Sequence, residues 1–170
     1  YIMINMRAEL ESLPETIDEE LEALYLQHAS ECADLNKRMI KKGLNSGTDI
    51  HGDPFRPLEP STEKSRRSHG YSTSPPLKAS GDLYRGIRKR GQFVFDTARS
   101  KKGEFYGTFH NEGFTHHISG KPVPDTSPFK REFFGTPDDF FESAEYKVLD
   151  KKLQKETNAL LKSRKKKKRI

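Results

Sequence analysis

The sequence has one cysteine, no tryptophan, only three valines and no long apolar run. The lone thiol, Cys32, excludes an internal disulfide framework and a cysteine-based zinc cluster, so a reducing cytoplasm is the simplest origin. No stretch approaches the roughly 20 apolar residues of a membrane span, and no basic–apolar–small opening marks a secretory leader. The first residue is Tyr1, and the expected true start lies upstream or at Met3 or Met6. Leu, Ile, Val and Phe make up 36 of 170 residues, about 21%, just above the range where chains stay disordered. With 33% of residues charged and a mean hydropathy of −0.91, little apolar material is left for an isolated core. The expectation is a small folded nucleus with solvated or partner-bound segments, completed by self-association.

The net charge of +6 is unevenly placed. Residues 1–26 carry seven acids (Glu9, Glu11, Glu15, Asp18, Glu19, Glu20, Glu22) against Arg7, whereas residues 37–102 carry 16 bases against 6 acids. The last nine residues hold seven bases and no acid, including Lys165, Lys166, Lys167, Lys168 and Arg169. Such a run repels itself and is expected to be disordered alone. It reads either as a solubilising tail or as a contact for DNA or an acidic partner, the DNA contact being salt-sensitive and indifferent to sequence.

Apolar residues at Ile17, Leu21, Leu24, Tyr25, Ala29, Cys32, Leu35 and Met39 fall three and four apart, the stripe of a helix over 17–40. Thr16 and Glu19 form a capping box, Lys37, Arg38, Lys41 and Lys42 suit the C-terminal end, and Gly43 is the expected stop. His28 reads as a packed or rim histidine. Residues 43–81 include 20 Gly, Pro, Ser or Thr among 39 and predict an extended arm. Period-two runs at 92–98 and 104–110, joined by a turn at 100–103, predict an antiparallel hairpin that buries Phe93, Phe95, Phe105 and Phe109. Residues 111–130 read as a loop. Thr136 as N-cap, Pro137 at the first position and Asp138 and Asp139 behind it predict a helix from Pro137 to about Lys162. Its apolar stripe is Phe141, Ala144, Val148, Leu149, Leu153, Leu160 and Leu161.

The predicted fold class is α+β: a small antiparallel β-sheet packed by an N-terminal and a C-terminal helix, with a long extended Pro/Gly/Ser-rich arm. The organisation is an N-terminal extension over 1–16, a single domain over 17–161 that includes the arm at 43–81, and a basic disordered tail over 162–170.

Catalytic and metal chemistry find little support. His110, His116 and His117 invite a metal reading, but adjacent histidines on a strand face opposite ways and no cysteine accompanies them. They read as surface or interface histidines. Glu112 near His110 lacks a nucleophile, an oxyanion loop or a paired carboxylate, and Gly43, Gly47 and Gly52 have the wrong spacing for a phosphate loop. The chain is expected not to be an enzyme and to carry no cofactor and no metal. Phe93 and Phe95 among Arg85, Arg88, Lys89, Arg90 and Arg99 resemble a base-stacking sheet, but a chain this poor in other large apolar residues spends its phenylalanines inside, leaving the bases as a rim.

The order of short motifs carries more. A helix leads into His51-Gly52-Asp53-Pro54-Phe55 and Leu58-Glu59-Pro60-Ser61-Thr62, then Pro76-Leu77-Lys78-Ala79-Ser80-Gly81-Asp82-Leu83. Phe109-His110-Asn111-Glu112-Gly113, Lys121-Pro122-Val123-Pro124 and Arg131-Glu132-Phe133-Phe134-Gly135 follow. Over about residues 20–150 this resembles the phage virion morphogenesis (tail completion) family of Mu-like and related contractile-tailed phages. The six residues between Pro124 and Arg131 make that loop longer than the family pattern, and the basic tail lies outside it.

The resemblance implies a structural virion protein, a tail terminator or neck subunit that forms a ring, expected to be hexameric, at the head–tail junction and joins tail to head. A head-completion plug of related fold is a further alternative. Implied partners are other copies of the chain, tail tube and sheath proteins, head connector proteins and the DNA in the channel, with no membrane. The implied place is the phage particle, assembled in host cytoplasm. Expected interface residues are Phe55, Arg66, Arg67, Arg131, Phe133 and Phe134, the Phe133–Phe134 pair reading either as a core plug or as an interface anchor. A long arm could reach a neighbour, since about 20 extended residues span roughly 60 Å. The reading from another class is a small basic nucleic-acid-binding protein using the tail and the Arg85–Arg90 cluster.

Overall fold

Twenty-eight consecutive residues, Glu19–Ser46, form the first helix, α1, with Glu19, Glu20 and Glu22 in its first turn where the helix dipole favours acids. The predicted stripe is correct in phase: Cys32 and Leu35 are buried, and Leu21, Leu24, Tyr25, Ala29 and Met39 are half-buried. The stop is not at Gly43. The helix ends at Gly47, whose φ of 81° only glycine adopts without strain, and the Gly47 and Thr48 amides both donate to the Gly43 carbonyl at 2.8 and 3.0 Å. Gly43 has another role, because a Cβ there would lie 3.0 Å from the Thr48 carbonyl oxygen, so its bare backbone lets the chain turn back over the helix. Thr16 lies outside the described residues. The computed structural model describes residues 19–99, 103, 105, 107, 110–111, 117–118, 121–122 and 131–167.

Next come α2 (Pro60–Ser68), α3 (Asp82–Gly86), β1 (Ile87–Arg90), β2 (Phe93–Asp96), β3 (His117–Ile118), β4 (Lys121–Pro122) and α4 (Ala144–Lys167). The protein is mixed α+β, a two-strand antiparallel sheet with an N-terminal and a C-terminal helix packing against it. That sheet is β1–β2, closed by a two-residue turn at Gly91 and Gln92. The sheet's own hairpin thus lies N-terminal to the predicted one. Of the predicted pairing across 100–103, the described residues show the antiparallel bridge between Arg99 and Phe105. A two-residue connection matches strand twist better than the longer Ser-Lys-Lys-Gly link. Within the predicted loop at 111–130, β3 pairs with β4 through His117–Pro122 and Ile118–Lys121.

Chain contacts divide the described residues into two compact units. One comprises the described residues up to Asn36, the hairpin tip Lys89–Val94, and those from Asp139 onward; the other comprises Lys37–Arg88 and the described residues of Phe95–Asp138.

The first unit is held by α1 and α4. Cys32, Ala33, Leu35 and Phe140 are its buried apolar residues. Lys152 Nζ reaches Glu31 Oε1 at 2.6 Å, and the largely buried Lys89 ammonium donates to the Ser30 carbonyl (2.9 Å), the Ser30 hydroxyl (2.8 Å) and the Asp34 carboxylate. The last helix does not start at Thr136. Residues 138–142 form turns, and Ser143 caps instead, its Oγ accepting the Tyr146 amide at 3.2 Å. Leu149, Leu153 and Leu160 are half-buried as predicted, but Phe141, Ala144, Val148 and Leu161 are exposed, because α4 presents only one narrow side to α1. The helical backbone continues to Lys167, into the segment expected to be disordered. Lysines form helix well and are favoured at its C-terminal end.

The second unit buries Ile40, Leu44, Phe55, Leu77, Leu83, Ile87, Ala98 and Phe133. The predicted arm supplies three of these, Leu44, Phe55 and Leu77, and is not extended throughout. Its middle is α2, with Pro60 in the first turn, Glu63 near the start and Arg66 and Arg67 in the last turn. The phenylalanines assigned to the sheet's buried face are only partly inside: Phe93 is 37% and Phe105 43% exposed, Phe95 is half-buried and Phe109 lies outside the described residues. A four-residue ladder is too small to cover all these rings, and Phe105 instead lies under the Arg99 guanidinium at 3.9 Å.

Adjacent phenylalanines separate core from surface. Phe140 is 0% and Phe141 49% exposed. Phe140→Ala is expected to cost about 3–5 kcal/mol in denaturant unfolding, and Phe141→Ala about 1 kcal/mol or less. Equal losses would show that Phe140 is not the plug of the α1–α4 core.

Candidate functional site

A constellation of ionisable side chains, His51, Glu132 and Asp138, lies in the second unit, where the turn after α1 meets the segment before α4. Thr48 and Pro54 form a bridge, and the Asp49 amide donates to the Asp53 carbonyl at 2.8 Å, closing a tight loop around Gly52. The Asp49 carboxylate sits inside this loop and accepts the amides of His51 and Asp53, each at 2.9 Å. This is the local Asx arrangement that short acidic side chains favour in turns.

The loop is fastened to residues 131–138 by two neighbouring residues. The Ile50 amide donates to the Glu132 carbonyl at 2.9 Å, and the Ile50 carbonyl accepts the Asp138 amide at 3.1 Å. Beside it, the His51 ring bridges the same two partners: Nδ1 lies 2.9 Å from Asp138 Oδ2 and Nε2 lies 2.9 Å from Glu132 Oε2. Both carboxylates favour the imidazolium, and hydrogen bonding to Asp138 and then Glu132 pushes the His51 pKa up to about 9. At neutral pH the ring is a cation with both nitrogens engaged, a fastening rather than a free proton acceptor.

Behind the loop, Arg131 is buried, its Nη2 donating to the carbonyls of Arg56 (3.0 Å) and Pro57 (3.3 Å) and its Nε to Arg56 (3.3 Å). Burial, with Arg66 and Arg56 nearby, lowers its pKa, yet a guanidinium remains charged. The Arg131 amide donates to the His110 carbonyl at 2.6 Å. Burial and then the Arg131 charge push the His110 pKa down to about 4, so this ring is neutral at pH 7. An open cavity of about 160 Å³ is lined by Asp49, Pro54, Phe55, Arg56, Arg131 and Glu132. That is below the roughly 300 Å³ at which small-molecule sites begin.

The expected interface residues part company here. Phe55, Arg131 and Phe133 are buried inside the second unit, Phe133 serving as a core plug, while Phe134 is half-buried with its amide on Asn111 Oδ1 at 2.9 Å. Arg66 is half-buried and donates to the Ser72 carbonyl at 3.3 Å; Arg67 is exposed and pairs with Glu63. Of the tail, Lys165, Lys166 and Lys167 continue the α4 backbone, and Lys168 and Arg169 lie outside the described residues.

The basic residues around β1 divide: Arg85 pairs with Asp82 at 2.5 Å, Lys89 is tied to α1 and Arg99 donates to the Gly103 carbonyl at 2.7 Å, whereas Arg88 and Arg90 are exposed. His28 is buried, its Nε2 at 3.5 Å from Cys32 Sγ, and burial raises the Cys32 pKa to about 11, which leaves an unreactive thiol. Among the described residues no group of three or more His, Cys, Asp or Glu is arranged to hold a metal ion. His117 stands on β3, and His116 lies outside the described residues.

Sequence reasoning missed His51, Glu132 and Asp138 as a group, although Asp-x-His-x-Asp around a glycine was a visible turn signal. No protein family, curated protein or solved structure matches the chain.

The bridge has a pH signature. The His51 pKa of about 9 lies above the ordinary 6.5, so its stabilisation is complete below pH 6.5 and is lost as pH rises through 9. The thermal midpoint of the second unit is expected to fall across that window, and His51→Gln to flatten the fall. An NMR titration placing the His51 midpoint near 6.5 would show that the bridge does not form.

Proposed function

We propose that the protein is a structural subunit of a tailed-phage neck or tail end, assembling with copies of itself into a ring that joins tail to head. The observation that carries the reading is where the motifs of the resemblance lie. Of their described apolar positions, Phe55, Leu77, Leu83 and Phe133 are buried in the second unit, and Leu58 and Phe134 are half-buried. Two motifs about 80 residues apart, 51–55 and 131–135, are joined through Ile50, His51 and Glu132.

The surface supports the reading from another side. Leu26, Tyr71, Phe93, Phe105, Phe141, Val148 and Leu161 are all exposed. A chain so short of apolar residues gains by covering such side chains with a neighbour. Of the basic residues of β1, Lys89 is tied to α1 while Arg88 and Arg90 are exposed, so the nucleic-acid reading stands as the alternative. Neck terminator and head-completion plug share this description; the tail tube and the head connector are the expected partners.

Solution mass checks the proposal. The purified chain, alone or with tail tube added, is expected to give a closed ring, six copies being the expected number. A monodisperse monomer under both conditions would overturn it.

A further inference from the structure

The two helices of the first unit carry outward faces of opposite charge. On α4, Val148, Lys151, Lys155 and Lys162 repeat at helical spacing and are all exposed, Val148 at 67%. Ala144 and Ala159 share this side, and no acid interrupts it between 148 and 162. Lys151, Lys155 and Lys162 make no ion pair among the described residues, unlike Lys147 and Lys152, which pair with Glu142 and Glu31. On α1, Glu19, Glu22, Ala23 and Leu26 form an exposed face, Leu26 at 46%. Each face thus holds one large aliphatic side chain, with acids on the N-terminal side of Leu26 and lysines on the C-terminal side of Val148; Glu145, exposed three residues before Val148, lies outside that row.

The spacings also match. From Leu26 back to Glu22 and Glu19 is four and seven residues; from Val148 on to Lys151 and Lys155 is three and seven. At about 1.5 Å per residue, both charge rows extend about 10 Å from their aliphatic residue. With the helices antiparallel, Leu26 meets Val148 while Glu22 and Glu19 meet Lys151 and Lys155, and the helix dipoles oppose favourably.

We propose that the Glu19–Leu26 face of α1 in one copy docks on the Val148–Lys162 face of α4 in a second copy, head to tail. The contact rests on the self-assembly reading above and specifies which surface performs it. Every copy has both faces, so the contact repeats and closes into a ring where the rotation permits.

The test uses the full chain in two charge-reversed forms, measured by solution mass at low salt. One carries Lys151→Glu, Lys155→Glu and Lys162→Glu; the other carries Glu19→Lys and Glu22→Lys. All five positions are exposed, so helical circular dichroism and melting are expected to stay near those of the unmodified chain. Each form alone is expected to lose assembly by at least about tenfold in association constant, and an equimolar mixture to regain it as alternating copies, since both contacts are again between opposite charges.

Assembly of either reversed form as strong as the unmodified chain's would overturn the docking face and leave the ring reading intact. An unmodified chain that never assembles would overturn both. Loss of binding to a duplex oligonucleotide in the lysine-reversed form, with self-assembly unchanged, would also overturn the proposal and assign the lysine face to nucleic acid.

Discussion

The second unit depends on one short bridge. Ile50 gives its amide to Glu132 and its carbonyl to Asp138, and the His51 ring spans the carboxylates of the same two residues. Backbone and side chain thus make the same connection in parallel across more than 80 residues of sequence. Buried backbone groups must be paired, so the Ile50 contacts fix where the chain runs; the exposed charges of His51 add to a geometry already set. Phe55 and Phe133, each a few residues from the bridge, are then delivered to the same core.

The helices were legible because their signals are local. The stripe of α1 has the right period over its described length, and α4 is correct in its inner face and wrong in its start. Thr136-Pro137-Asp138 has every feature of a helix entrance, yet the Asp138 amide is taken by the Ile50 carbonyl. A long-range partner claimed the donor that a helix start would have left for a cap, and Ser143 became the entrance about two turns later. Conversely α2 was overlooked although Glu59-Pro60 and Arg66-Arg67 are respectable start and stop signals, because the surrounding Gly, Pro and Ser dominated the reading. The hairpin shows a third kind of failure. Alternating phenylalanines marked strands correctly at 93–96, but period two does not say which neighbour a strand takes, and the shorter turn decided it.

The candidate site was less legible, since its members come from separate segments. Nothing in residues 49–53 announces that Glu132 and Asp138 will flank His51. Burial of Arg131 beneath carbonyls of Arg56 and Pro57 was equally hidden: an arginine bracketed by charge in sequence reads as surface. The lysine face of α4 is visible in the sequence at the same helical period as the leucines, on the opposite side of the wheel.

The distribution of charge between folding and surface has a geometric consequence. The fold uses Lys89, Arg85, Arg99, Arg131 and Lys152 for internal ties, and what it leaves on the first unit is sorted by helix: acids on α1, lysines on α4. A two-fold contact through one face alone would set it against its own copy, and a lysine row facing a lysine row repels. Sorting the signs onto different elements therefore disfavours a pair closed through one face alone and favours contacts between unlike faces. In the docking proposed above, the same sorting protects the free chain, because like-charged faces keep wrong encounters apart while Val148 and Leu26 are exposed. Screening by salt weakens both the attraction and the protection, so the ionic conditions that loosen a correct contact also remove the barrier to an incorrect one.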